Sequence, residues 1–137
     1  MGRVLAIDYG KKRTGLAATD PLKIIASPLA TVETPRLIDY LREYFQKEEV
    51  ETIVLGYPLK LDLSATHTTQ DVLQLEAKLK TTFPTKNVVL QDERLTSRIA
   101  QDAMIRGGMK KKDRRNKANV DRISATLILQ EFLEKNF

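Results

Sequence analysis

Asp8 is the last residue of VLAID, whose Val4, Leu5, Ala6 and Ile7 read as a buried strand. A carboxylate at the end of such a run is costly to desolvate unless it is paired, hydrogen-bonded or bound to a cation. Glu93 repeats the oddity at the end of NVVLQDE, residues 87–93. Strand alternation sends Asp92 and Glu93 to opposite sides of the sheet and leaves open which of the two turns inward. Asp121 is the third acid. On the last predicted helix it shares a stripe with Ile128 and Phe132, bordering the one formed by Val120, Ile123 and Leu127, and it lies near the positive end of the helix dipole. Taken alone, Asp121 reads at least as well as a helix-start acid or an ion-pair partner of Arg122 or Arg13. Three core-facing acids without a neighbouring thiol or imidazole suit a hard cation. Mg²⁺ takes few protein carboxylates and keeps water and phosphate as its other ligands. Two such ions can activate a water and stabilise the leaving oxygen in phosphodiester cleavage.

Cations accompany the acids. Lys11, Lys12 and Arg13 follow Asp8 closely, and Arg13 is the better placed of the basic residues to reach a reacting phosphate. Seven of the twelve residues in RGGMKKKDRRNK, 106–117, are Lys or Arg, and the run stands just before the Asp121 helix. Lys110, Lys111, Arg114 and Arg115 are therefore expected to grip a phosphate backbone; the plainer reading is a solvated loop. His67 lies in a polar stretch without acid or thiol partners and reads as a surface residue. Tyr9 and Tyr57 follow strand ends, where either base stacking or packing would account for them.

These residues need a scaffold. Residues 3–8, 14–19 and 24–32 read as strands separated by GKKRTG and DPLK, a three-stranded antiparallel meander. Pro28 points to an edge position or a bulge in the third strand. Residues 34–50 read as an amphipathic helix with Thr34 as N-cap, Pro35 in the first turn, and Leu37, Ile38, Leu41, Tyr44 and Phe45 on its apolar stripe. A strand at 52–58, a helix carrying Val72, Leu75 and Leu79, a strand at 87–93, a helix ended by Gly107 and Gly108, and a last helix complete the order β-β-β-α-β-α-β-α-α. Strands alternating with helices imply parallel neighbours. The expected architecture is α/β: one mixed five-stranded sheet, with strand 1 near its middle and helices on both faces. The C-terminal ends of parallel strands share one edge, where open α/β sheets place their sites.

Bulk properties set limits. A length of 137 residues suggests one domain, 1–137. With no cysteine, disulfide frameworks and thiolate-bound zinc are excluded. No apolar run approaches a membrane span, and the N-terminus does not read as a signal peptide, so a cytoplasmic protein with no membrane partner is expected. A net charge of +5 favours a polyanionic partner. No dimer seam is evident, so a monomer or weak dimer is expected.

Several of these stretches together resemble one family. AIDYGKKRTGLAATD carries the pattern D-x-G-x-x-R-x-G-x-A-x-x-D through Asp8, Gly10, Arg13, Gly15, Ala17 and Asp20. ASPLATV, VLGYP, DERLTS and VDRISATLILQ follow in the order expected of the YqgF family, also described as Holliday junction resolvases. The resemblance spans nearly the whole chain. It implies an RNase H-like fold, an Mg²⁺- or Mn²⁺-dependent nuclease, and a role in maturing the 5′ end of 16S ribosomal RNA. It also implies that the acidic triad falls on Asp8, Glu93 and Asp121. One departure stands out: Leu63 and Ser64 in PLKLDLSATH replace the usual glycine of that loop, which bears on substrate preference. Three other readings compete. A two-domain ATPase of the actin and sugar-kinase type needs more chain than is present. A non-catalytic RNA-binding module would bind RNA without cleaving it. A DNA junction resolvase would nick four-way junctions symmetrically.

Overall fold

The computed structural model describes residues 2–57, 67–92 and 117–136. Strands β1 (Arg3–Asp8), β2 (Arg13–Thr19), β3 (Ala26–Glu33), β4 (Val50–Tyr57) and β5 (Asn87–Asp92) form one sheet in the order β3-β2-β1-β4-β5. β1 is the central strand. It pairs antiparallel with β2, which pairs antiparallel with β3. On its other side β1 runs parallel to β4, and β4 parallel to β5. Helices α1 (Leu37–Lys47), α2 (His67–Thr82) and α3 (Lys117–Asn136) complete the described elements. The expected mixed sheet, its meander and the central place of strand 1 are all present.

The apolar pattern explains the layers. β1 is buried from Val4 through Ile7 because helices cover both of its faces. Its odd positions, Leu5 and Ile7, pack with Leu16, Ile53 and Leu55 against Leu37 and Leu41 of α1 and Val72 and Leu79 of α2. Its even positions, Val4 and Ala6, pack with Ala17 and Val54 against Ala125, Ile128, Leu129 and Phe132 of α3. Small residues on that second face let a helix lie close to the sheet. Among the described residues, no helix is long and apolar enough to cross a membrane.

Several boundaries differ from expectation for local reasons. Pro28 is both on an edge strand and at a bulge: Leu16 pairs with Ala30 while Ala17 pairs with Pro28, leaving Leu29 without a register partner. Thr34 does not cap α1. Thr34–Arg36 form a 3₁₀ turn preceded by Glu33, and the α-helix begins at Leu37. β4 starts two residues early, at Val50, and runs through Gly56. The helix expected after strand 5, the basic run before Lys117 and most of the 59–67 loop lie outside the described residues.

Candidate active site at the carboxyl edge of the sheet

The apolar core of β1 ends at Ile7, and Asp8 is the first residue of that strand beyond it to be partly exposed. Position dictates the change: the strand emerges at the sheet edge shared by the C-terminal ends of β1, β4 and β5. A half-exposed carboxylate there keeps part of its hydration, so its desolvation cost is far below that of a fully buried acid.

Register assigns Asp8 a face and neighbours. Alternation places it with Val4 and Ala6 on the α3 side of the sheet. Gly15 of β2 is its antiparallel partner. The parallel register, carried one residue past the Ile7–Leu55 pair, sets Gly56 of β4 on its other side, and Gly56 pairs with Gln91 of β5. One row across the sheet thus reads Gly15, Asp8, Gly56, Gln91, all on the α3 side. Both strands beside Asp8 present a glycine, so no Cβ crowds the carboxylate from either flank. Gln91 is only 6% exposed, and its Nε2 is buried with no hydrogen-bond partner among the described residues. Ser124 Oγ of α3 is buried in the same condition. Asp8 and Gly15 are conspicuous in the sequence and Gln91 is a polar residue in the apolar run NVVLQDE, but nothing in the sequence joined them in one row.

Arg13 opens β2 two residues from Gly15, on the same side of the sheet as Asp8. It is half-buried, while Lys11 and Lys12 beside it are exposed. The turn that carries these cations is clamped. A Cβ on Gly10 would stand 2.3 Å from the Arg13 carbonyl oxygen, so only glycine fits that close approach. Thr34 Oγ1 donates to the Gly10 carbonyl at 2.5 Å, and Thr34 N donates to the Lys12 carbonyl at 3.0 Å. With the single Thr34 hydroxyl proton committed to Gly10, the Thr14 hydroxyl, wholly buried, donates to Thr34 Oγ1 across 2.9 Å. The residue expected to cap a helix instead fastens the cationic turn to the end of β3.

Tyr9 takes the opposite side of the sheet. It packs against the α1–α2 core and lines a groove of about 490 Å³ with Thr34, Asp39, Arg42, Asp71 and Lys78. Burial, then the Asp71 carboxylate, raises its pKa. Packing therefore accounts for it.

The other sequence-derived candidates are placed less fully. On β5, Val88 and Leu90 join the α1–α2 core and Val89 the α3 core, so position 92 has the parity of the α1–α2 side. Glu93 lies outside the described residues, as do Lys110, Lys111, Arg114 and Arg115. Position 121 falls one turn before Ala125, on the stripe of α3 that meets the sheet. α3 begins at Lys117, so position 121 is in its second turn and the dipole contribution is weaker than expected. Among the described residues no three acid, histidine or cysteine side chains gather into a metal-binding group. The row around Asp8 nonetheless suits a hard cation in one respect: it offers carboxylate oxygen flanked by two glycines that carry no Cβ.

The strand order, the acid closing the central strand and the helices on both faces define an RNase H-like fold. The Thermus thermophilus RuvC solved in complex with a Holliday junction substrate shares it, with a TM-score of 0.60 at 17% identity over 99% of this chain and 97% of that one. The fowlpox virus Holliday junction resolvase shares it as well, with a TM-score of 0.59 at 12% identity over 97% and 99%. Within that fold, the chain belongs to the RuvX Holliday junction resolvase family, whose model matches residues 2–135. A Phocaeicola vulgatus protein named "Putative pre-16S rRNA nuclease" is 49% identical over 98% of this chain and 96% of its own length. An Amoebophilus asiaticus protein of the same name is 49% identical over 97% and 94%.

Proposed function

We infer that residues 1–137 form one metal-dependent nuclease domain that hydrolyses phosphodiester bonds in a nucleic acid, with the 5′ end of precursor 16S ribosomal RNA as substrate and the cytoplasm as its site of action. The observation that carries this reading is Asp8, which closes the central strand on the α3 side beside Arg13 and the clamped turn. The name shared by relatives near half identity supports the RNA substrate.

Asp8, Glu93 and Asp121 would hold a hard divalent cation, Mg²⁺ or Mn²⁺. The parity of position 92, which is that of the α1–α2 side, counts against Asp92 and so favours Glu93. When bound, the cation supplies Lewis acidity and charge neutralisation at the phosphate. The chain's own residues do the rest. Lys11, Lys12 and Arg13 bind and orient the backbone phosphates, and Arg13, partly withdrawn from water, stabilises the charge that grows on the phosphoryl oxygens. Lys110, Lys111, Arg114 and Arg115 hold flanking phosphates.

The test is cleavage by purified protein of precursor 16S RNA, unrelated RNA and DNA, with and without Mg²⁺ or Mn²⁺. Asp8→Asn and Glu93→Gln are each expected to lose more than the roughly 100-fold that removing an outer partner of a metal site costs. Full activity in either variant refutes its assignment as a ligand. The family description favours one second reading, a DNA junction resolvase. Symmetric nicking of a four-way junction, with precursor RNA left intact, would establish it instead.

A further inference from the structure

Gln91 is a costly residue to keep where it stands. Its neighbours in sequence, Val89 and Leu90, pack into the two cores, and Gln91 itself is only 6% exposed. Its amide nitrogen meets neither solvent nor a hydrogen-bond partner among the described residues. A buried donor left unmatched destabilises a fold, whereas an apolar side chain of the same shape would not. Such an exception calls for an explanation in function or in a missing partner.

The partner is indicated by the row. Gln91 and Asp8 stand on the same side of the sheet, separated by Gly56 alone. Two strand spacings put their backbones about 9.6 Å apart. No side chain rises between them, and a glutamine and an aspartate leaning toward each other span that gap. We propose that Gln91 is a positioning residue: its carboxamide donates to the Asp8 carboxylate when the acidic centre holds its cation, fixing the carboxylate's orientation from across Gly56. Carboxylate ligands are ordinarily held in this way by an outer hydrogen bond. The proposal rests on the metal-dependent reading above, and it assigns a role to a residue outside the acidic triad.

Gln91→Met keeps the length of the side chain and removes the donor. Without cation, the variant should melt at the wild-type temperature or a few degrees above it, since an unmatched buried amide is gone. MnCl₂ alone, with no nucleic acid, should raise its melting temperature less than it raises that of the wild type. The cation concentration for half-maximal cleavage should rise, and cleavage at fixed cation should fall, by about 10- to 100-fold. Gln91→Asn, which keeps the donor on a shorter arm, should recover part of this loss. A Gln91→Met protein that melts below the wild type, or fails to fold, overturns the proposal by showing that the amide is structural. One with an unchanged Mn²⁺ shift and cleavage overturns it from the other side. If the wild type neither cleaves nor is stabilised by Mn²⁺, the metal-dependent reading has failed and this proposal falls with it; an active, Mn²⁺-stabilised wild type beside an unaffected Gln91→Met refutes the proposal alone.

Discussion

The two hydroxyls of Thr14 and Thr34 do more for the site than their size suggests. Three hydrogen bonds, Thr34 Oγ1 to Gly10 O, Thr14 Oγ1 to Thr34 Oγ1, and Thr34 N to Lys12 O, tie the cationic turn to the end of an edge strand. These bonds matter to the turn because Lys11 and Lys12 are exposed and Gly10 has no side chain. Thr34→Val preserves shape and strands both the Gly10 carbonyl and the buried Thr14 hydroxyl. It is expected to cost about 1–3 kcal/mol of stability, whereas Thr34→Ser, which restores the hydroxyl, should cost much less. Urea denaturation of the two variants measures the contrast. A larger loss in Thr34→Ser than in Thr34→Val would mean that the methyl group, not the hydroxyl, secures the turn.

At the scale of elements, the β2–β3 hairpin shows how one carboxylate organises a turn without a core. The Asp20 carboxylate accepts from the backbone N–H groups of Leu22, Ile24 and Ile25, at 3.2, 2.8 and 2.8 Å. Lys23 sits at a φ of 60° and pairs with Glu51, so this turn holds a non-glycine residue in the left-handed region. The Ile25 N–H foremost, with those of Ile24 and Leu22, lowers the Asp20 pKa below its ordinary 3.8. A carboxyl group whose pKa is lower folded than unfolded stabilises the fold above its unfolded value. That contribution is lost as pH falls through the folded pKa. Asp20→Asn keeps one acceptor oxygen, enough for the Ile24 and Ile25 N–H groups, and removes the charge together with the oxygen that accepts from Leu22. Its melting temperature should lie below the wild type's by a constant amount from pH 7 to about pH 5, and the gap should close below about pH 4. Thermal melts across that range check the expectation; a gap independent of pH would remove the charge from the account.

Across the whole molecule, Lys and Arg outnumber Asp and Glu, 23 to 18. The carboxyl edge of the sheet carries Asp8 and the cationic turn, and the excess of +5 includes the basic run at 106–117. If that run holds phosphates, each phosphate left without its cation should lower the slope of log affinity against log salt by roughly 0.7 to 0.9. Replacing Lys111, Arg114 and Arg115 together with Ala should weaken binding of unrelated RNAs alike and flatten the salt dependence, with cleavage at saturating RNA falling much less. Titrations at several salt concentrations decide it: an unchanged slope would leave the run as a solvated loop.

Much of this was written in the order of residues. Continuous apolar runs, a proline at an edge bulge and helices set between later strands specify a mixed sheet with strand 1 at its centre, because period and punctuation are local properties of the chain. Asp8 and Arg13 were legible for the same reason: an acid at the end of a buried run is conspicuous in one dimension. Thr34 was not, since a threonine before a proline at a helix start looks like a cap, and only the pairing of Arg13 with Glu33 brings its hydroxyl over Gly10. Gln91 could be noticed as a polar residue in an apolar strand but not connected to Asp8. That connection depends on which strands are neighbours and in what register, and on the glycine that happens to lie between them. Those are properties of strand pairing, settled where segments distant in the chain meet side by side.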